Sequence, residues 1–119
     1  MLTMEKEKLT VYNDDTTLVE IIILDNQQNE GVYRFYPETE DEVTLTIYDK
    51  KGPKKAENTV IAEFSADMSD PENIVVDINT ENIPSGKYFY DVRLKITGDN
   101  QIYHIAAQQE IEIIRRKHT

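Results

Sequence analysis

The chain has no cysteine and no tryptophan, and only four glycines and four prolines among its 119 residues. Without cysteine there is no disulfide scaffold, no cysteine-ligated zinc ribbon, no thiol redox couple and no cysteine nucleophile. Long apolar runs are missing as well. The longest is Ile21 to Leu24, far short of the ~20 residues that span a bilayer. Met1-Leu2-Thr3-Met4 leads into Glu5-Lys6-Glu7-Lys8 rather than an apolar stretch, so no secretory signal is expected. Positive charge is scarce: 13 Lys and Arg stand against 23 Asp and Glu, a net charge of −10. A phosphate backbone needs a basic surface that displaces counterions, so no nucleic-acid partner is expected, and an anionic membrane is disfavoured for the same reason. The excess acid favours solubility. At this length the chain is expected to be one domain spanning 1–119, with 1–8 and 115–119 flexible. Such a chain buries roughly 65% of its unfolded surface, enough for a core without staples.

What is abundant is alternation. Val43, Leu45 and Ile47 alternate with Thr44, Thr46 and Tyr48. Tyr88, Tyr90, Val92, Leu94 and Ile96 alternate with Phe89, Asp91, Arg93 and Lys95, the clearest period-2 stretch in the chain. Shorter β-branched runs occur at Leu9–Val11, Thr17–Leu24, Val32–Tyr36, Val60–Phe64, Ile74–Ile78, Ile102–Ile105 and Ile111–Ile114. Turn chemistry separates them: Asn13-Asp14-Asp15, Asp25 to Gly31, Asp49 to Lys55 around Gly52-Pro53, Ser69-Asp70-Pro71 and Gly98-Asp99-Asn100. No stretch has a convincing helical period. The expected fold is all-β, with about seven or eight antiparallel strands in a sandwich rather than a closed barrel, since small barrels lean on glycine to turn their corners. Ile83-Pro84-Ser85-Gly86-Lys87-Tyr88 reads as an apolar plug, a tight corner and a tyrosine. In Greek-key sandwiches such a tyrosine ties the corner back to the backbone. Ile83, Gly86 and Tyr88 are thus the structural corner, with the Tyr88 hydroxyl expected on backbone near Ile83 or Pro84.

Catalytic chemistry has little to draw on. His104 and His118 are the only imidazoles, and neither sits in a pattern with a nucleophile. There is no Gly-x-Ser-x-Gly elbow and no glycine-rich phosphate loop. Asn13-Asp14-Asp15 and the set Asp67, Asp70 and Glu72 offer oxygen ligands without the spacing of a calcium loop. They read as self-capping turns. No enzyme activity, cofactor or metal is expected. Tyr33, Phe35, Tyr48, Phe89 and Tyr103 would form a sugar-binding ring platform if they shared an outer face.

The segment IPSGKYFYDVRLKITGDNQIYHI, Ile83 to Ile105, resembles a pattern in small immunoglobulin-like proteins of tailed phages and prophages. There, an apolar residue, a small residue with glycine and a tyrosine are followed by a Tyr-Asp-hydrophobic-x-Leu stretch, a hairpin turn and a last strand. The resemblance implies an immunoglobulin-like Greek-key β-sandwich with a structural or docking role in a tail, baseplate or connector, without enzymatic activity. Implied partners are other virion or surface proteins, or further copies of the chain. The implied location is the virion; a chain of other origin would be expected in the cytoplasm. The alternative function is a carbohydrate-binding module for host-surface recognition.

Charge distribution adds candidate interaction residues. Glu38, Glu40, Asp41 and Glu42 enter the strand that ends at Tyr48, and Lys50, Lys51, Lys54 and Lys55 leave it. Some seven residues at about 3.3 Å each put roughly 20 Å between the clusters. That exceeds the ~8 Å screening length of physiological salt, so the two do not cancel within one molecule. A molecule acidic at one end and basic at the other is suited to head-to-tail contact.

Overall fold

The structure, a computed structural model, describes residues 2–5, 9–12, 17–27, 30–49, 60–80 and 82–114. It is all-β, with no helix among the described residues. Ten strands follow one another: β1 (Leu2–Met4), β2 (Leu9–Tyr12), β3 (Thr17–Glu20), β4 (Ile23–Gln27), β5 (Gly31–Phe35), β6 (Glu42–Tyr48), β7 (Val60–Ser65), β8 (Val75–Ile78), β9 (Gly86–Ile96) and β10 (Gln101–Ile114). They form a five-stranded sheet in the order β2-β10-β9-β6-β7, a three-stranded sheet β1-β4-β5 and a pair β3-β8.

Three departures from the sequence pattern have physical causes. Thr17–Leu24 is not one strand. β3 pairs with β8, the chain then changes partners at Ile21-Ile22, and β4 pairs with both β1 and β5. Two backbone bonds bridge the crossover: the Ile21 N–H donates to the Ile74 carbonyl at 2.9 Å and the Glu5 N–H to the Ile22 carbonyl at 3.1 Å. Leu2–Met4, inside the lead-in expected to be flexible, is a strand in register with β4, and Met4 is buried. The pairing is also not wholly antiparallel, because β2 runs parallel to β10.

One apolar cluster draws on all three sheets. The alternation in β6 puts Val43, Leu45 and Ile47 inside, and that in β9 puts Tyr90, Val92 and Leu94 beside them, all at 0–1% exposure. Val19, Ile21 and Ile23, then Val76 and Ile78, and finally Ile111 and Ile113 complete it. Each such side chain contributes ~1.5–3 kcal/mol by leaving water. Tyr88 is only half-buried, packed against the edge of this cluster.

β10 is the longest strand, and it is kinked by register shifts between His104 and Ala106 and between Ala106 and Gln109. At the second, Gln108 takes a left-handed φ of 52°. Its N–H donates to Asp91 Oδ1 at 2.7 Å, the same oxygen that accepts the Tyr48 hydroxyl at 2.8 Å. A single carboxylate on β9 thus holds a bulge of β10 to β6, and the bulge lets β10 bend over a core it would otherwise run past.

Candidate functional site

Between β5 and β6 the chain crosses from one sheet to another through Tyr36–Asp41. Asp41 is the pivot of this crossing. Its Oδ2 accepts the Glu38 N–H at 2.8 Å and its Oδ1 the Thr97 N–H at 3.1 Å. Thr97 Oγ1 in turn donates to the Glu40 carbonyl at 2.7 Å. The crossing is therefore fastened to the β9–β10 turn. Asp41 is buried, which removes it from the candidate interaction residues: its charge is spent on backbone N–H groups, where a carboxylate bond is worth roughly twice a neutral one. Glu38, Glu40 and Glu42 are exposed, and so is Asp99 in the turn to which they are tied. Lys95 Nζ lies 3.9 Å from Glu42 Oε2 across the outer face, an exposed pair worth little by itself. Lys50, Lys51, Lys54 and Lys55 lie outside the described residues.

At this same end the sheets splay and leave an open groove of about 530 Å³ lined by Leu2, Asp25, Phe35, Ile96, Tyr103 and His104. One wall comes from β1, β4 and β5, the other from the tip of β9–β10. The floor is apolar because the inward-facing registers run on past the core: Leu2 opposes Asp25, Phe35 opposes Ile23, and Tyr103 opposes Leu94. Gln27 Nε2 donates to Asp25 Oδ2 at 3.1 Å and holds that carboxyl below the ordinary carboxylate range. Sequence periodicity gave no sign of the groove, since its lining comes from five strands, β1, β4, β5, β9 and β10.

The five rings weighed as a sugar platform do not share a face. Tyr48 is buried against Asp91, with the Phe89 ring centroid 6.5 Å away. Burial, and then the Asp91 carboxylate, push the Tyr48 phenol above its usual range. Phe35 packs against the core, Tyr103 lines the groove, and Tyr33 stands exposed on β5 with its hydroxyl on the Glu30 carbonyl at 2.7 Å. The Asp67–Glu72 turn uses its carboxylates locally. Asp67 Oδ1 accepts the Ser69 N–H at 2.9 Å, which lowers its pKa, and Asp70 accepts from the Glu72 N–H and from Asn73 Nδ2. Among the described residues no group of three His, Asp or Glu could hold a metal ion, and no helix is long and apolar enough to cross a membrane.

The corner before β9 closes on itself. The Tyr88 hydroxyl donates to the Pro84 carbonyl at 2.7 Å, and Ile83 is buried beneath it. Gly86 has φ +153°, a conformation that side-chain-bearing residues rarely adopt. His104 is exposed at the groove rim, opposite Arg93 on β9.

No protein-family model matches the chain, and no curated protein matches it as a relative.

Proposed function

We propose that this chain is a non-enzymatic docking component, built as an immunoglobulin-like Greek-key β-sandwich, that assembles head to tail. The sandwich reading places the five-stranded sheet over a second layer made of β1-β4-β5 and β3-β8. It rests on the six points at which consecutive strands change sheets and on the tyrosine tie at the β8–β9 crossing. The resemblance of Ile83–Ile105 to phage immunoglobulin-like proteins points to a virion role in a tail, baseplate or connector, with other virion proteins as partners.

The observation that carries the docking reading is polarity along the strands. Glu38, Glu40, Glu42 and Asp99 are exposed at the end where β6 begins and β9 finishes. The basic segments of the sequence follow the opposite ends of strands: Lys50 and Lys51 soon after β6, Arg115-Arg116-Lys117 directly after β10. A molecule charged in this way attracts the opposite end of its neighbour, and a heterologous contact closes into a ring or runs on as a filament. Sedimentation velocity as a function of salt tests it. The expected result is concentration-dependent association at low salt that weakens as the screening length falls. A monomer at every concentration in low salt would overturn it.

A further inference from the structure

The head-to-tail reading needs a contact at each end of the molecule, and this inference rests on that reading. We infer that the groove at the acidic end takes the exposed aliphatic pair Val60-Ile61 from the opposite end of a second copy. Asp25 is the one carboxylate in the groove lining, and it is already answered by Gln27 and by the chain's N-terminal ammonium. The surface left for a partner is therefore apolar and aromatic: Leu2, Phe35, Ile96 and Tyr103, with His104 at the rim. Such a surface gains most from aliphatic side chains that leave water together with it.

Val60 and Ile61 meet that requirement through a local irregularity in β7. Ala62 opposes Ile47 and packs against the core, while Val60 opposes Tyr48, so Ile61 is an extra residue in the strand. In a regular strand Ile61 would oppose Tyr48 on the outer face, and Val60 would return to the inner one. The bulge re-aims the chain, and two consecutive aliphatic side chains stand 59% and 36% exposed. The exposed neighbours Val32-Tyr33 and Ile102-Tyr103 belong to the groove's own end, since Tyr33 opposes Asp25 and Tyr103 lines the groove. Leu18 is exposed singly on β3, which is ordinary for a surface.

The groove and the aliphatic pair cannot meet within one molecule. Val60 is level with Tyr48 and Phe89, seven residues along β9 from Ile96. At about 3.3 Å per residue that is roughly 20 Å. A neighbour stacked end to end brings the pair to the groove, and charge then agrees with packing. Glu38 and Glu40 are exposed on the crossing that follows Phe35, and Asp99 is exposed in the turn between Ile96 and Tyr103. In the neighbour, Lys50, Lys51, Lys54 and Lys55 precede Val60 by ten residues or fewer. Seating the aliphatic pair thus tethers four cations near three acids, an apolar centre with a charged rim.

The absence of cysteine allows a single spin label to be attached through Glu63→Cys, at an exposed position of β7. Spin-labelled protein is mixed at low salt with isotope-labelled wild type, and amide broadening is read in the isotope-labelled copy. The expected broadening is strongest at Leu2, Phe35, Ile96 and Tyr103. A Val60→Thr/Ile61→Thr double variant keeps β-branched side chains in the strand and removes apolar surface. Its self-association, followed by sedimentation at low salt, should weaken about tenfold while the urea midpoint holds. Association with broadening centred elsewhere, or undiminished in the double variant, would overturn the groove contact and leave head-to-tail assembly standing. A chain that stays monomeric at every concentration would overturn both.

Discussion

Asp91→Ala removes the carboxylate that ties the β10 bulge to Tyr48. In the native protein Asp91 Oδ1 lies 2.8 Å from the Tyr48 hydroxyl and 2.7 Å from the Gln108 N–H. Tyr48 is 5% exposed, so water does not readily replace the lost partner. A buried donor left unsatisfied costs about 1–3 kcal/mol, so the loss of the acceptor of the buried Tyr48 hydroxyl costs about that much. Asp91→Asn keeps an oxygen in the same place and loses only the charge, which costs about 1 kcal/mol. Urea denaturation of wild type, both variants, Tyr48→Phe and the Tyr48→Phe/Asp91→Ala double variant measures this. The double variant should lose less than the sum of the singles, because the hydroxyl and its acceptor are removed together. Asp91→Ala within ~0.5 kcal/mol of wild type would refute the reasoning, since the bulge would then stand without its anchor.

Leu94→Ala, at 0% exposure between Val43 and Tyr103, should cost about 2–5 kcal/mol; an unchanged urea midpoint would mean that this face of β9 does not pack in the core. Thr80 is fully buried, and its hydroxyl has no hydrogen-bond partner among the described residues. Thr80→Val should therefore stabilise the fold by about 1 kcal/mol, and destabilisation would refute that. The Tyr48 phenol is raised in the folded state; its contribution is complete below the unfolded value of about 10 and is lost as pH rises toward the folded value. Alkaline titration of stability should fall with an extra slope of up to about 1.4 kcal/mol per pH unit that Tyr48→Phe removes, and equal slopes would contradict it.

The all-β class and much of the core were legible because side-chain alternation is a local property. Val43, Leu45 and Ile47, like Tyr90, Val92 and Leu94, face inward wherever the strands pair. Where the reading failed, the deciding partner lay far along the chain. Ile21-Ile22 looks like mid-strand, yet the chain changes sheets there, because pairing with β8 stops at Val75 and pairing with β1 takes over at Met4. Tyr48 follows an outward register but is covered, since Asp91 and the β10 bulge fold over it. Asp41 looks like one acid among four; only Thr97, 56 residues on, shows it to be a structural anchor. The groove has no local signature at all.

The most direct test of head-to-tail docking mixes two variants, each with one end neutralised. One carries Glu38→Gln, Glu40→Gln, Glu42→Gln and Asp99→Asn; the other replaces Lys50, Lys51, Lys54, Lys55, Arg115, Arg116 and Lys117 by glutamine. At low salt, sedimentation should show each variant alone as a monomer or nearly so, and the mixture as a 1:1 dimer that grows no further, because each partner keeps one working end. Larger assemblies in the mixture, or association of either variant alone equal to that of wild type, would contradict it.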